Sequence, residues 1–167
     1  MTSRPEVALL PVLTTDGASR WAAEQRASGP RVAFTNGVFD LLHPGHTRYL
    51  IEARAQGDVL IVAINSDRSV RALAKAADRP ITPESERAEV LAALAAVDAV
   101  VVFDEETPLA IVTAIQPDVL VKGADWAADA IIGRDVVEAR GGRVVRVALA
   151  PGYSTTALLA RVRAGAR

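Results

Sequence analysis

Short apolar runs alternate with longer amphipathic segments along the chain from Pro30 onward. The apolar runs are rich in Val and Ile and too short for helices, so they predict buried β-strands. These predicted strands are 31–35, 59–65, 99–103, 119–122 and 143–147. The segments between and after them predict helices at 45–55, 83–95, 108–115, 132–139 and 155–163. Strands that alternate with helices predict right-handed crossovers and a parallel sheet with helices on both faces.

Helix-breaking residues agree with these boundaries, since Pro83 opens one predicted helix and Gly57 follows another. We therefore expect an α/β fold, a doubly wound five-stranded parallel sheet in a single domain that spans residues 31–167. Residues 1–30 are predicted to form a leader that ends in a helix over about residues 18–27.

A ligand site is expected at one edge of this sheet. Ligands of doubly wound sheets bind at the carboxyl ends of the strands, where the strand order reverses. The loops that follow the five predicted strands are therefore the candidates. They begin after Thr35, Asn65, Phe103, Lys122 and Val147.

Composition narrows the possible functions. Nineteen basic and twenty acidic residues give a net charge of -1, so the chain has no general attraction to nucleic acid or to an anionic membrane. The absence of cysteine excludes disulfides, thiolate nucleophiles and cysteine zinc sites. No apolar run approaches the roughly 18 residues of a membrane span. We expect a cytoplasmic protein that binds neither nucleic acid nor membrane, and any phosphate site in it must be local.

The strongest chemical motif follows the first strand of the predicted sheet. The sequence TNGVFDLLHPGH carries the only two histidines of the chain, His43 and His46, into the start of a helix. Backbone N–H groups at such a helix start bind anions, and Gly37 permits a ligand to approach the backbone closely. A helix cap or a metal site with Asp40 is the alternative, but two histidines alone make a poor metal site. GxGxxG, GxxxxGK[ST] and HExxH motifs are absent from this loop, so the pattern favours phosphate binding without a protein-bound metal.

Two later segments offer further polar groups at strand or helix ends. Lys122 ends a predicted strand beside Gly123 and Asp125, which favours a ligand site over an ordinary exposed charge. Ser154, Thr155 and Thr156 open the last predicted helix. One hydroxyl is enough for an N-cap, so three of them suit a bound triphosphate.

A basic segment between the second and third strands has two interpretations. It contains Arg68, Arg71, Lys75 and Arg79. The simpler interpretation is a solvated loop and helix face. The functional one is a lid that is mobile without ligand, because its cations repel one another, and that orders over phosphates when they bind.

The histidine segment resembles the HxGH signature of the cytidylyltransferase-like nucleotidyltransferases, which use a Rossmann-like domain to transfer a nucleoside monophosphate. The hydroxyl triplet is similar to the ISTT motif of these enzymes, with Tyr153 in the isoleucine position. From about Leu9 onward, the chain looks like the heptose 1-phosphate adenylyltransferases. The segments that carry this likeness are FTNGVFDLLHPGH, VAINSDRSVRAL, RPITPESER, LVKGADW, IIGRDVVEARGGRV and STT.

This resemblance implies a function and two alternatives to it. The implied reaction transfers AMP from ATP to a heptose 1-phosphate and yields ADP-heptose, a precursor of bacterial surface polysaccharides, and pyrophosphate. Glycerol 3-phosphate cytidylyltransferases are similar but carry an arginine in RTxGISTT, where this chain has ALAPGYSTT with Ala148 and Ala150. A nucleotide sensor without catalytic activity is the other alternative. Such a sensor would be expected to have lost catalytic residues, but His43, His46, Lys75 and the STT triplet are all present.

The resemblance also implies the residues and partners of the reaction. It implies catalytic roles for His43, His46 and Lys75, and contacts to the substrate from Asp40, Lys75 and Lys122. The residues implied in nucleotide binding are Asn36, Gly37, Val38, Phe39, His43, His46, Arg87, Gly123, Asp125, Tyr153, Ser154, Thr155 and Thr156. Arg87 has an alternative in an ion pair with Glu84 or Glu86. We expect Mg²⁺ to accompany ATP, the chain to form a homodimer, and a separate sugar kinase to act in the same pathway, because residues 1–30 resemble the linker that follows such a kinase.

Overall fold

The computed structural model describes residue 10 and residues 12–73 and 79–165. Within these residues, six parallel strands form one sheet in the order β1-β4-β3-β2-β5-β6. The strands are β1 (Val12–Leu13), β2 (Val32–Gly37), β3 (Val59–Asn65), β4 (Ala99–Phe103), β5 (Val119–Gly123) and β6 (Arg143–Val147). The order reverses at β2, which pairs with β3 on one side and β5 on the other.

Helices cover both faces of the sheet. They are α1 (Thr15–Ala27), α2 (Pro44–Arg54), α3 (Asp67–Ala72), α4 (Glu84–Ala92), α5 (Leu109–Ile115), α6 (Arg134–Glu138) and α7 (Thr155–Arg163). A short 3-10 turn, Ala128–Ala130, lies between β5 and α6. No helix among the described residues has both the length and the apolar character needed to cross a membrane.

Two hydrophobic cores lie on opposite faces of the sheet. Along β3, Leu60, Val62 and Ile64 face one core, and Ile61 and Ala63 face the other. Alternate side chains of a strand point to opposite faces, so a strand buried on both faces is a continuous apolar run. The expectation of a doubly wound α/β fold in a single domain is confirmed.

The predicted number of strands was wrong, because the sheet has six. The additional strand is β1, which pairs with β4 through Val12–Val100 and Leu13–Val101. It is two residues long and Val12 is half exposed, so its sequence carries no periodic pattern that could reveal it.

Helix α1 follows β1 and packs against one of the two cores, the one that Leu13 of β1 also contacts. It begins at Thr15, earlier than expected, because the Thr14 hydroxyl accepts a hydrogen bond from the backbone N–H of Gly17 and caps it. Ala18 and Ala22 of this helix are fully buried, in the core that also contains residues of α5. Residues 12–27 therefore add a strand to the edge of the sheet and a helix to one of its faces.

Aspartates secure the amino edge of the sheet, away from the expected site. Asp58, Asp98 and Asp118 each stand immediately before a strand and accept a backbone N–H from the start of a neighbouring strand, at 2.7–2.8 Å. Asp98 also pairs with Arg54, Nε to Oδ2 at 2.8 Å. The carboxylates at this edge are therefore structural, and the carboxyl edge is where the remaining polar residues must be examined.

Candidate active site

The loop from β2 to α2 brings the histidines to the point where the strand order reverses. His43 is the residue before α2, and Pro44 is the first residue of that helix. His43 occupies the N-cap position, but its side chain makes no capping hydrogen bond, so capping does not account for its imidazole ring. The two imidazole rings instead stack on one another, with centroids 3.9 Å apart and planes 15° from parallel.

Gly45, between the two histidines, has no room for a side chain. A Cβ at this position would lie 2.7 Å from the Cβ of Tyr153 and 3.0 Å from two atoms of the His43 ring. Contacts this short force neighbouring atoms to move. The glycine therefore allows the His43 ring and Tyr153 to pack over the start of α2.

The histidine pair is partly buried and uncharged at neutral pH. Burial and, to a smaller extent, the neighbouring His43 together lower the pKa of His46 to about 4, against an opposing effect of Asp40. Burial also lowers the pKa of His43. Both Nδ1 atoms are buried without a hydrogen-bond partner among the described residues. Buried polar atoms are usually paired in proteins, so the two unpaired Nδ1 atoms set this site apart from the rest of the described structure.

Lys122 forms the opposite side of the site. It lies on β5, next to β2, and its Nζ donates a hydrogen bond to Oδ1 of Asn36 at 2.5 Å. The same ammonium lies 5.5 Å from the centre of the Trp126 ring. The amide of Asn36 and the ring of Trp126 therefore hold a buried positive charge at the carboxyl ends of the two central strands.

The start of α7 forms a third side. The Ser154 hydroxyl accepts from the N–H of Ala157 at 3.0 Å and caps the helix. The Thr155 hydroxyl donates to the backbone oxygen of Asp40 at 2.8 Å. Ser154 is therefore the N-cap that the sequence allowed, and Thr155 connects the start of α7 to the histidine loop. Tyr153, just before them, lies under the guanidinium of Arg48, 5.2 Å from the ring centre.

These sides enclose a cavity of about 640 Å³, and most of the predicted site residues line it. Those brought together are Asn36, Gly37, Val38, Phe39, Asp40, His43, His46, Lys122, Gly123, Asp125, Tyr153, Ser154, Thr155 and Thr156. Seven further residues line the cavity, namely Gly45, Tyr49, Val70, Arg79, Trp126, Leu149 and Ala150. Of these, Arg79 belongs to the basic segment for which a phosphate-binding role was considered, and Trp126 stands in the motif LVKGADW, which is the sequence feature that could have marked it.

Asp40 lines the cavity, but its carboxylate is directed toward another segment of the chain. It accepts hydrogen bonds from the backbone N–H groups of Ile81 and Thr82 and from the Arg79 guanidinium. Burial alone would raise the pKa of this carboxyl, and these donors together hold it below its usual value. No group of three or more His, Asp or Glu side chains in the described part of the chain is arranged to hold a metal ion.

Arg87 does not line the cavity, contrary to the nucleotide-binding position expected for it. Its side chain is buried and donates to the backbone oxygens of Val38, Asn65 and Thr82. The expected alternative pairing with Glu84 or Glu86 is also wrong. The acidic partner is Asp67, with NH2 of Arg87 and Oδ1 of Asp67 2.7 Å apart. The guanidinium contacts the ends of β2 and β3 and does not run along its own helix.

Residues 74–78 of the basic segment lie outside the described residues. Lys75 is one of them, so the structure does not bear on the catalytic role expected for it. Arg68 and Arg71 are on α3, a helix capped by the Ser66 hydroxyl and anchored by the buried Val70. Arg68 pairs with Asp104, NH2 to Oδ2 at 2.6 Å, and Arg79 pairs with Asp40. The part before residue 74 is therefore a helix packed on the domain, which agrees with the helix face of the simpler interpretation.

Comparisons with known proteins agree with this geometry. The family model described as cytidylyltransferase-like matches residues 34–161. The chain is 54% identical over 156 residues to the bifunctional protein HldE of Acidiphilium cryptum and 56% identical over 145 residues to HldE of Bradyrhizobium diazoefficiens. These matches cover 93% and 87% of this chain but only 32% and 29% of the relatives. The chain therefore spans about a third of the length of the curated relatives that it matches.

A solved structure is similar as well. It is the lipopolysaccharide core biosynthesis protein from Thermoplasma volcanium, with 30% sequence identity and a TM-score of 0.61. The match covers 73% of this chain and 98% of that protein. The similarity thus includes nearly the whole of a protein the size of this domain.

Replacing Gly45 with Ala should disturb the site more than the fold. The added methyl must displace Tyr153 or the His43 ring, so binding of ATP should weaken while the far-ultraviolet circular dichroism spectrum is retained. Gly17→Ala is the matched control, because Gly17 also lies in the first turn of a helix and its new Cβ meets only flexible side-chain atoms. Equal ATP affinity of the two variants would contradict the packing role of Gly45.

Acid should destabilise the protein through His46. The folded state holds the pKa of His46 at about 4, whereas a histidine in an unfolded chain has a pKa of about 6.5. Between these values the unfolded state binds more protons, so the free energy of unfolding falls as the pH is lowered, by at most about 3 kcal/mol. Urea unfolding of wild type and His46→Gln isolates this effect, because the carboxylates titrate in both proteins. Parallel pH profiles for the two would show that His46 is not held neutral by the fold.

Proposed function

Since the chain belongs to the cytidylyltransferase-like family, we propose that it is a nucleotidyltransferase that transfers AMP from ATP to a heptose 1-phosphate. The products are ADP-heptose and pyrophosphate. The observation that carries this proposal is the stacked and neutral pair of His43 and His46 at the start of α2, in the cavity that Lys122 also lines. Ring N–H groups, a helix start and an ammonium group converge there, which suits a chain of phosphates.

The chemistry requires alignment more than a strong base. A sugar phosphate oxygen is already ionised near neutral pH, so it can attack the α-phosphorus of ATP directly. The new bond joins that oxygen to the α-phosphorus, while the bond from the α-phosphorus to the oxygen shared with the β-phosphate breaks and pyrophosphate leaves. The difficulty is that an anion approaches another anion. Preorganised donors that meet the developing charge lower this barrier.

Each side of the cavity has a role in this proposal. His43 and His46 donate hydrogen bonds to oxygens of the α- and β-phosphates, most strongly in the transition state. Lys122 neutralises a phosphate at the junction of β2 and β5. Thr155, Thr156 and the backbone N–H groups at the start of α7 bind the triphosphate tail. Lys75 is proposed to neutralise the leaving pyrophosphate, a role that rests on the family resemblance alone.

Mg²⁺ is proposed to enter with ATP. This ion binds phosphate oxygens and usually keeps several waters, so it needs few ligands from the protein. Asp125 is a carboxylate on the cavity wall that can serve such an ion directly or through water. The ion would withdraw charge from the phosphates, and the side chains of the cavity would position them.

The choice of ATP over CTP rests on the wall beside Lys122. Leu149 and Ala150 line the cavity there, in the segment where similar cytidylyltransferases carry an arginine. The similarity to HldE proteins supports the heptose substrate. A CTP-dependent enzyme acting on glycerol 3-phosphate and a sensor without catalytic activity remain the alternatives.

Partners are proposed from the same comparisons. The relatives are described as bifunctional and are about three times as long as the matched region. We propose that a sugar kinase supplies the heptose 1-phosphate, because a kinase forms the phosphate ester that this reaction consumes. A homodimer in the cytoplasm is proposed as the working form of the chain.

A pyrophosphate-release assay should find ATP with a heptose 1-phosphate to be the productive pair. The assay compares ATP and CTP, each with heptose 1-phosphates of both anomeric forms and with glycerol 3-phosphate. Efficient turnover of CTP with glycerol 3-phosphate, without turnover of ATP and heptose phosphate, would overturn the proposed substrates. Nucleotide binding without turnover of any pair would favour the sensor.

Replacing His46 with Ala should lower kcat by about a hundredfold or more, because the ring donates to charge that develops in the transition state. Affinity for ATP should change much less. Equilibrium binding and circular dichroism on the same variant separate the possible causes. Loss of ATP binding with normal kcat would make His46 a binding group only, and loss of the folded spectrum would make it structural.

A further inference from the structure

Two buried charges of opposite sign hold the backbone of Thr82 from both sides. Asp40 and Arg87 are only 3% and 2% exposed. The Asp40 carboxylate accepts the N–H of Thr82 at 3.0 Å, and Nε of Arg87 donates to the C=O of the same residue at 2.9 Å. Ile81 N–H and the Arg79 guanidinium complete the donors to Asp40, at 2.9 and 2.8 Å. The segment 79–82, which follows residues 74–78, is therefore anchored by two side chains.

The same two residues hold the loop that carries the histidines. Arg87 donates through NH1 to the backbone oxygen of Val38 at 2.6 Å. Asp40 itself lies in that loop, between Phe39 and Leu41, whose φ angles are 50° and 43°. Left-handed backbone costs a non-glycine residue roughly 1–2 kcal/mol, so this path needs support from outside the loop. The bonds of Val38 and Asp40 to Arg87 and to segment 79–82 supply it on both sides of Phe39.

Two further elements of the cavity connect to this arrangement. Arg87 NH2 donates to the backbone oxygen of Asn65 at the end of β3 and to the carboxylate of Asp67. The backbone oxygen of Asp40 accepts the hydroxyl of Thr155 at the start of α7. A guanidinium has five donors in a rigid fork, which lets one buried side chain serve several loops at once. Hydrogen bonds from or to a charged group are about twice as strong as neutral ones.

We propose that Asp40 and Arg87 are positioning residues for the transfer reaction. They hold the histidine loop, the segment 79–82 and the end of β3 in one arrangement, and through it they aim the rings of His43 and His46 into the cavity. Asp40 acts through its carboxylate bonds to segment 79–82 rather than by binding the sugar phosphate. This inference rests on the proposed function for its kinetic consequence, but the ring positions are a property of the protein without ligand.

The test uses Asp40→Asn and Arg87→Lys, which keep the size or the charge of the side chain but break part of the bonding pattern. Asp98→Asn is the matched control, because Asp98 also accepts a backbone N–H and an arginine, at the opposite edge of the sheet. In each protein, steady-state kinetics give kcat and KM for both substrates. Nuclear magnetic resonance of the two histidine rings reports their environment in the free protein. Urea unfolding gives the loss of stability.

Asp40→Asn and Arg87→Lys should lower kcat by about tenfold to a hundredfold, as a small misplacement of reacting groups does, with KM values nearly unchanged. Their His43 and His46 ring signals should shift relative to wild type, and those of Asp98→Asn should not. If Asp40→Asn raises KM for the sugar phosphate and keeps kcat, Asp40 binds substrate and the inference is wrong. Unmoved ring signals in both variants would also overturn it.

Two further outcomes can be distinguished from a failure of the positioning role. If wild type has no transferase activity with any substrate pair, the proposed function fails, and the ring signals of the free variants still decide the positioning role. If neither buried-site variant folds, Asp67→Asn replaces them, because it weakens one bond to Arg87 at a partly exposed position. It should shift the same ring signals and lower kcat by a smaller factor. Unchanged signals and unchanged kcat in Asp67→Asn would overturn the inference.

Discussion

Two neutral imidazole rings are stacked 3.9 Å apart at the start of a helix, and the residues around the cavity depend on this arrangement. Protonating both would place two positive charges in contact, and partial burial already lowers the pKa of each ring. The pair therefore rests uncharged, with Nδ1 atoms that no described residue bonds. Such an arrangement costs free energy in the empty protein. In the proposed reaction, a phosphate chain offsets this cost, because phosphate oxygens accept hydrogen bonds and their charge favours protonation of a ring.

The rest of the carboxyl edge of the sheet preserves this arrangement. Gly45 leaves space for the His43 ring, and the bonds of Asp40 and Arg87 support a loop that turns through two left-handed residues. Lys122, held by Asn36 of the adjacent strand, faces the rings across the cavity. The amino edge of the same sheet uses its carboxylates differently, since Asp58, Asp98 and Asp118 only close off strand ends. Structural and functional polar groups are thus divided between opposite edges.

Much of the fold was predictable from the sequence, because a strand that is buried on both faces of a sheet has a continuous apolar sequence. The bounds of β3, β4, β6 and α7 are those expected from the sequence. The two-residue β1 has no such pattern. Helix α3 was obscured by its basic residues, although Ser66 and the buried Val70 define it. The family resemblance marked Asp40 and Arg87 as site residues, but it carries no information about the direction of their side chains. Only the folded loops reveal that both side chains turn toward Thr82 rather than toward a ligand.

The neutrality and the ligand response of the histidine pair can be measured directly. The chain has only two histidines, so nitrogen-15 resonances of their rings can be followed without overlap while the pH is varied, with and without ATP and Mg²⁺. We predict that His46 in the free protein titrates near 4, and that ATP shifts the signals of both rings and raises their pKa values. Two rings that titrate near the ordinary histidine value of about 6.5, and that do not respond to ATP, would contradict this prediction.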